Sequence, residues 1–208
     1  ANKGNMTAGV DGQTIDAMSL DRINRIISNL KDEKYSPNPA RRTYIPKKNG
    51  KMRPLGIPSI DDKLVQEAMR MILEAIYDNN FEDTSHGFRP GKSCHTALRQ
   101  IQNRFTRCKW FVEGDIKGFF DNIDHNVMIE ILRKRIKDEK FLRLIRKFLN
   151  AGYMEDNAFH NTYSGAVQGG IISPILANIY LDQFDKYMKK YKEDFDKGKK
   201  RAILKSYT

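Results

Sequence analysis

The sequence predicts an α+β fold, helix-rich with short antiparallel strands, and three observations carry that reading. Apolar residues recur at helical spacing in long stretches, such as Leu20, Ile23, Ile26, Ile27 and Leu30. Two short pairs of strand-forming segments close around turn dipeptides, Asn49-Gly50 and Asp156-Asn157. The two kinds of element mix without the strict βαβα alternation of a doubly wound sheet.

Ser19 is placed to cap the first helix, which Pro37 and Pro39 bring to an end. Arg42 to Pro46 and Met52 to Pro58 then read as two strands, and their prolines argue for an edge position. Asp61 or Asp62 can start a long core helix with a wide apolar stripe, Leu64, Val65, Ala68, Met69, Ile72, Leu73 and Ile76. The loop from His86 to Lys92 leads to Ser93 and a helix carrying Ala97, Leu98, Ile101 and Phe105, whose other face is basic.

Trp110 to Ile116 reads as a strand in which Trp110, Val112, Gly114 and Ile116 face a core while Phe111, Glu113 and Asp115 face a cleft. A carboxylate delivered this way suits half of a Mg²⁺ site, since the ion takes oxygen ligands and keeps waters and substrate phosphates around it. Asp124 is well placed to cap the next helix, through Ile136, and a further helix runs from Phe141 to Leu149 until Gly152 stops it. Tyr153 to Tyr163 forms the second hairpin. A last helix follows Gln168-Gly-Gly and fades into the lysine-rich stretch from Lys186 to Arg201.

A formal charge of +11 on an otherwise ordinary globular composition points to a polyanionic partner, nucleic acid first. An anionic membrane surface is the competing reading. No apolar run has the length of a spanning helix and no charged-then-apolar leader precedes Ala1, so no membrane role and a cytoplasmic location are expected. Cys94 and Cys108 lack CxxC spacing and the four histidines lack HxxxH spacing, which argues against zinc.

Between Arg41 and Arg53, six cations (Arg41, Arg42, Lys47, Lys48, Lys51 and Arg53) fall within thirteen residues, beside the apolar Ile45, Leu55 and Ile57. This is either a solvated edge or a phosphate clamp, in which guanidinium grips bidentately and lysine acts as a mobile point charge.

Five blocks in order, Ala8-Gly-Val-Asp-Gly12, Ile45 to Pro58, Ser85-His-Gly-Phe-Arg-Pro90, Gly114 to His125 and Gln168 to Asn178, closely resemble the reverse transcriptases, or maturases, of bacterial group II introns. The resemblance implies a right-hand polymerase, with residues 1–109 as fingers and 110–208 as a partial palm. It implies an RNA-directed DNA polymerase that also binds its intron RNA and assists splicing, with an RNA template, a DNA primer and dNTP as further partners.

Carried over residue by residue, Asp115 is a catalytic metal ligand with the Ile116 carbonyl beside it, for two Mg²⁺ ions in the complete enzyme. Arg41, Lys47 and Arg53 take nucleotide phosphates, Phe120 is a steric gate against the ribose 2′-hydroxyl, and Gln168 and Gly169 border the incoming nucleotide. Arg42, Lys48, Lys51, Arg89, Lys92, Arg99, Arg104 and Arg107 are expected along RNA. Asp121 braces the turn and Asp124 caps its helix.

The family's Tyr-Ala-Asp-Asp hairpin should follow the last helix, and the 208 residues end before it, so the fragment is expected to bind RNA yet be catalytically incomplete. An exposed palm surface would favour homodimerisation. Val167 stands where relatives carry proline. An RNA-binding splicing module without a polymerase role, and the retron or diversity-generating reverse transcriptases, stay open as alternatives.

Overall fold

A computed structural model describes residues 3–48, 50–106, 108–166 and 169–198. Helix α1 (Leu20–Lys31) starts where the Ser19 hydroxyl accepts from the Arg22 amide at 3.2 Å. Strands β1 (Ala40–Pro46) and β2 (Met52–Ile57) pair antiparallel, with Ile45 opposite Arg53 and Thr43 opposite Leu55. Asn49 of the expected turn lies outside the described residues; Gly50 follows with φ +78°.

Strands β3 (Tyr153–Glu155) and β4 (Ala158–His160) form the second hairpin. Asp156 and Asn157 both take positive φ, 48° and 63°, as a type I′ turn requires.

The sheet order is β2-β1-β3-β4: β1 and β2 pair antiparallel and β2 lies at an edge as expected, but the edge position expected for β1 needs correction. β1 lies inside the sheet and pairs with β3 in parallel, through Ala40 opposite Tyr153 and Arg41 opposite Met154. Pro46 does no harm in this interior strand because it sits five residues beyond the short shared stretch, so its missing N–H removes no bond to β3.

Helices α2 (Ile60–Tyr77), α4 (His125–Arg133), α5 (Glu139–Leu149) and α6 (Ser173–Asp196) build the core. α2 contributes Val65, Met69, Leu73 and Tyr77 at steps of four. They meet Met128 and Leu132 of α4, Leu142 and Ile145 of α5, and Leu176 and Ile179 of α6 in one cluster. That cluster, like the sheet, draws on residues from both sides of position 109, so the two expected subdomains share one core.

Two local details differ from expectation. α2 begins at Ile60, after Ser59, and Asp62 turns inward to accept from the Tyr35 hydroxyl (2.7 Å) and the Asn38 amide (3.1 Å). Burial pushes its carboxyl up to about 6 against the pull of those two donors. α6 does not fade at Lys186. It continues to Asp196 because its lysines find acids: Lys186 pairs with Asp182, Lys192 with Asp196 at 2.5 Å, and Lys189 with Glu82 at 2.9 Å.

The stretch from Ser93 to Ile116 stands apart. Helix α3 (Cys94–Arg104) is well capped, with Ser93 and Thr96 satisfying each other's backbone amides, yet it buries no residue. The strand expected over Trp110 to Ile116 does not form. Its backbone joins no ladder, and the residues expected in the core are exposed, Trp110 at 89% and Val112 at 98%. A strand is stabilised by its ladder and by cross-strand packing, and neither β2 nor β4, the sheet's two edges, pairs with this segment.

Candidate functional site

In an antiparallel pair, residues opposite one another share a face. The β1–β2 register therefore puts Arg41, Thr43, Ile45, Arg53, Leu55 and Ile57 on one face, and Arg42, Tyr44, Pro54 and Gly56 on the other. The three arginines of this region are thus sorted by the sheet, with Arg41 and Arg53 separated from Arg42.

The Gln168-Gly-Gly loop approaches the same hairpin. Gly169 has φ +102°, and a Cβ there would lie 2.7 Å from both the Gly56 carbonyl oxygen and Leu55 Cδ1. Only glycine permits that approach. The contact brings Gly169 beside the strand that carries Arg53; Gln168 itself lies outside the described residues.

Lys47, Lys48, Lys51 and Arg53 are exposed along the hairpin end. Arg41 is partly committed, since its Nε and Nη2 donate to the Ala8 carbonyl at 3.1 and 2.8 Å. It thereby ties the Ala8-Gly-Val-Asp-Gly12 block to the sheet. Gly9 packs too closely on the Ser59 backbone to admit a Cβ, and Arg22 joins Asp11 (3.7 Å) to Asp61 (2.5 Å). This block is a structural brace.

Phe120 is half-buried, edge-on to Phe119 with ring centroids 5.8 Å apart. Its position is fixed through the backbone by a clasp that sequence reasoning missed. Ala166 N donates to the Phe120 carbonyl and Gly165 N to that of Ile123, both at 2.7 Å. A Cβ on Gly165 would collide with the Phe120 carbonyl. Buried His125 closes the clasp, with Nε2 2.7 Å from the Gly165 carbonyl and Nδ1 2.8 Å from Asn150 Oδ1. The signal available in the sequence was the histidine directly after the Asp124 cap.

Asp124 does cap α4, accepting from the amides of Asn126 (2.7 Å) and Val127 (2.9 Å), and these bonds hold its carboxyl below the usual carboxylate range. At Asp121 the backbone carbonyl, not the carboxylate, accepts a bond from Ser164 Oγ at 3.0 Å. Asp115 and Ile116 stand exposed in the unpaired stretch. Among the described residues no three His, Cys, Asp or Glu side chains converge as a metal site.

The expected RNA contacts divide. Arg89 requires correction, because its side chain, 8% exposed, is used internally. Nε pairs with Asp78 at 2.7 Å, and the Nη atoms donate to the carbonyls of Asp78, Glu82 and Ser85. Its guanidinium also lies 5.2 Å from the centroid of the Phe81 ring. A guanidinium so saturated has little left to offer a phosphate. Arg99 and Arg104 are exposed on α3, Lys92 is half-exposed before it, and Arg107 lies outside the described residues. Arg42 lies over the Tyr153 ring at 3.8 Å. Among the described residues no helix is long and apolar enough to cross a membrane.

Comparison with known proteins agrees with this arrangement. The family model described as "Reverse transcriptase (RNA-dependent DNA polymerase)" matches residues 45–203. The chain is 55% identical, over its whole length, to the Group II intron-encoded protein LtrA of Lactococcus lactis subsp. cremoris, of which it spans 35%. It is 51% identical over 94% of its length to an uncharacterized 91 kDa protein in the cob intron of Schizosaccharomyces pombe, spanning 24% of it. With protein YkfC of Escherichia coli it shares 42% over 90% of the chain and 51% of the relative.

Among solved structures, a partial Cas6-RT-Cas1--Cas2 complex superposes with a TM-score of 0.53 at 24% identity, over 86% of this chain and 31% of that one, which speaks to the fold alone. The chain belongs to the reverse transcriptase (RNA-dependent DNA polymerase) family, with group II intron-encoded proteins among its relatives, as its five motif blocks led us to expect.

Proposed function

We propose that the protein carrying this chain copies RNA into DNA and also binds intron RNA to assist splicing, with residues 1–109 serving as fingers and 110–208 as part of the palm. The observation that carries this reading is the contact of Gly169 with Leu55 and Gly56, which joins the Gln-Gly-Gly loop to the strand bearing Arg53. Two blocks far apart in sequence meet there, which supports reading them as parts of one nucleotide site.

In this reading Arg53 and Lys47 hold the dNTP phosphates. Arg41 assists with the part of its guanidinium that Ala8 leaves free, and Gln168 and Gly169 border the base. Phe120, held by the Gly165–Ala166 clasp, excludes a ribose 2′-hydroxyl. Asp115 and the Ile116 carbonyl belong to the metal site, for which Mg²⁺ is the proposed ion on the general preference of that ion for carboxylate and carbonyl oxygens. Arg42, Lys48, Lys51, Lys92, Arg99, Arg104 and Arg107 track the RNA, a bacterial cytoplasm is the proposed setting, and a homodimer the proposed assembly.

Primer extension with the full-length protein tests the core of this. Extension of a DNA primer on an RNA template is expected, and Phe120→Ala should admit ribonucleotides. Unchanged discrimination between deoxy- and ribonucleotides would remove Phe120 from the gate role.

A further inference from the structure

Two clefts, of about 460 and 380 Å³, meet at residues 161–163 on the β3–β4 side of the sheet, across from Arg41 and Arg53. Arg42, Asp121 and Tyr153 line the first; Asp124, Asn150 and Arg146 line the second. Each cleft thus pairs one arginine with one carboxylate. The cation-rich hairpin end suits phosphate, whereas carboxylates in a cleft repel it. A neutral ligand with donors and acceptors fits better.

The shape of the lining is specific. Arg42 Cζ lies over the Tyr153 ring, 3.8 Å from its centroid, and Tyr153 stacks on His160 at 4.9 Å and 13°. Arg42 Nε is buried and without a hydrogen-bond partner among the described residues, so the guanidinium is held here by its contact with the Tyr153 ring rather than by a bond at Nε. Tyr163, between the clefts, is 86% exposed. An aromatic this exposed gains nothing from burial in the chain, but it offers a platform for a flat ring.

From this juxtaposition we infer that the groove around Tyr163, from Arg42 to Arg146, binds an unpaired RNA nucleobase. Bases splayed out of single strands are held by stacking on aromatic and guanidinium planes and by hydrogen bonds to their edges. Tyr163 and Arg42 supply the planes, and the Asp121 carboxylate and Asn161 amide supply acceptors and a donor. That the ligand is RNA rests on the function proposed above; that it is an unpaired base rests on the groove.

The test is a binding titration of the full protein with a single-stranded RNA of mixed sequence carrying 4-thiouridine, and with the same RNA annealed to its complement. Tyr163→Ala should weaken single-strand binding about tenfold, the loss of one stacked base, and change duplex binding less than twofold. The photocrosslink to the peptide spanning residues 153–166 should disappear. Asn161→Ala should give a smaller loss of the same kind. An unchanged melting temperature for both variants excludes misfolding.

Equal losses for single strand and duplex would overturn the inference, as would no loss in either variant. The two readings fail separately. Absence of primer extension by the unaltered protein would strike the polymerase reading, while the groove stands or falls on the ratio of single-strand to duplex affinity.

Discussion

The α4–α5 pair and the arm from Ser93 to Ile116 are made from similar material, alternating or helically spaced apolar residues behind a good cap, and they end in opposite environments. Met128, Leu132, Leu142 and Ile145 are essentially fully buried, whereas Leu98, Ile101, Trp110 and Val112 face solvent. An amphipathic pattern specifies a face that would gain from cover. It does not say which element provides the cover, because that depends on contacts far away in sequence. For α4 and α5 the covering elements are α2 and α6; for the arm, no described element does this.

The largest test of that contrast is a pair of truncations. Leu132→Ala removes a fully buried side chain and should cost about 2–5 kcal/mol, the range for a core leucine. Ile101→Ala, equally apolar in sequence, should stay within about 0.5 kcal/mol, as exposed substitutions do. Denaturant unfolding of both variants gives the numbers. A loss above about 2 kcal/mol for Ile101→Ala would show that the arm packs in solution and dissolve the comparison.

The same contrast separates two arginines that read alike in sequence. Arg89 and Arg99 both lie in a basic stretch, but Arg89 is enclosed by Asp78 and three carbonyls while Arg99 is exposed. Arg89→Ala strands a carboxylate and several carbonyls and should cost about 3 kcal/mol, and lysine should fail to restore it because one ammonium cannot span the four acceptors. Arg99→Ala should leave stability unchanged and lower the salt dependence of RNA affinity by about one unit of slope. A salt slope altered by neither change would remove α3 from the proposed RNA surface.

These pairs also mark what was legible beforehand. Caps and turns were readable, since Ser19, Ser93, Asp124 and Asp156-Asn157 act through neighbours two to four residues away. The motif blocks raised Arg53, Phe120 and Gly169 as candidates, and Gly169 does lie against the strand that carries Arg53. What could not be read were decisions made at a distance: the parallel docking of β3 on β1, the inward turn of Asp62 toward Tyr35, the enclosure of Arg89, and the Gly165 clasp behind Phe120. Each depends on a partner more than ten residues away.

The smallest effect tests the comparison most finely, because it uses two caps of equal quality. The Asp124 carboxylate bonds two amides at the start of α4, and Ser93 with Thr96 completes a reciprocal capping box at the start of α3. Intrinsically each is worth about 1 kcal/mol to its own helix. α4 is part of the cooperative core, so Asp124→Ala should lower global stability by roughly that amount. α3 buries nothing, so fraying its first turn leaves the core contacts intact, and Ser93→Ala should leave global unfolding unchanged. The loss should appear instead as faster amide exchange confined to residues 94–104, since local openings carry their own free energies. If Ser93→Ala lowered global stability as much as Asp124→Ala, α3 would be coupled to the core and the arm would have to be redrawn as part of it.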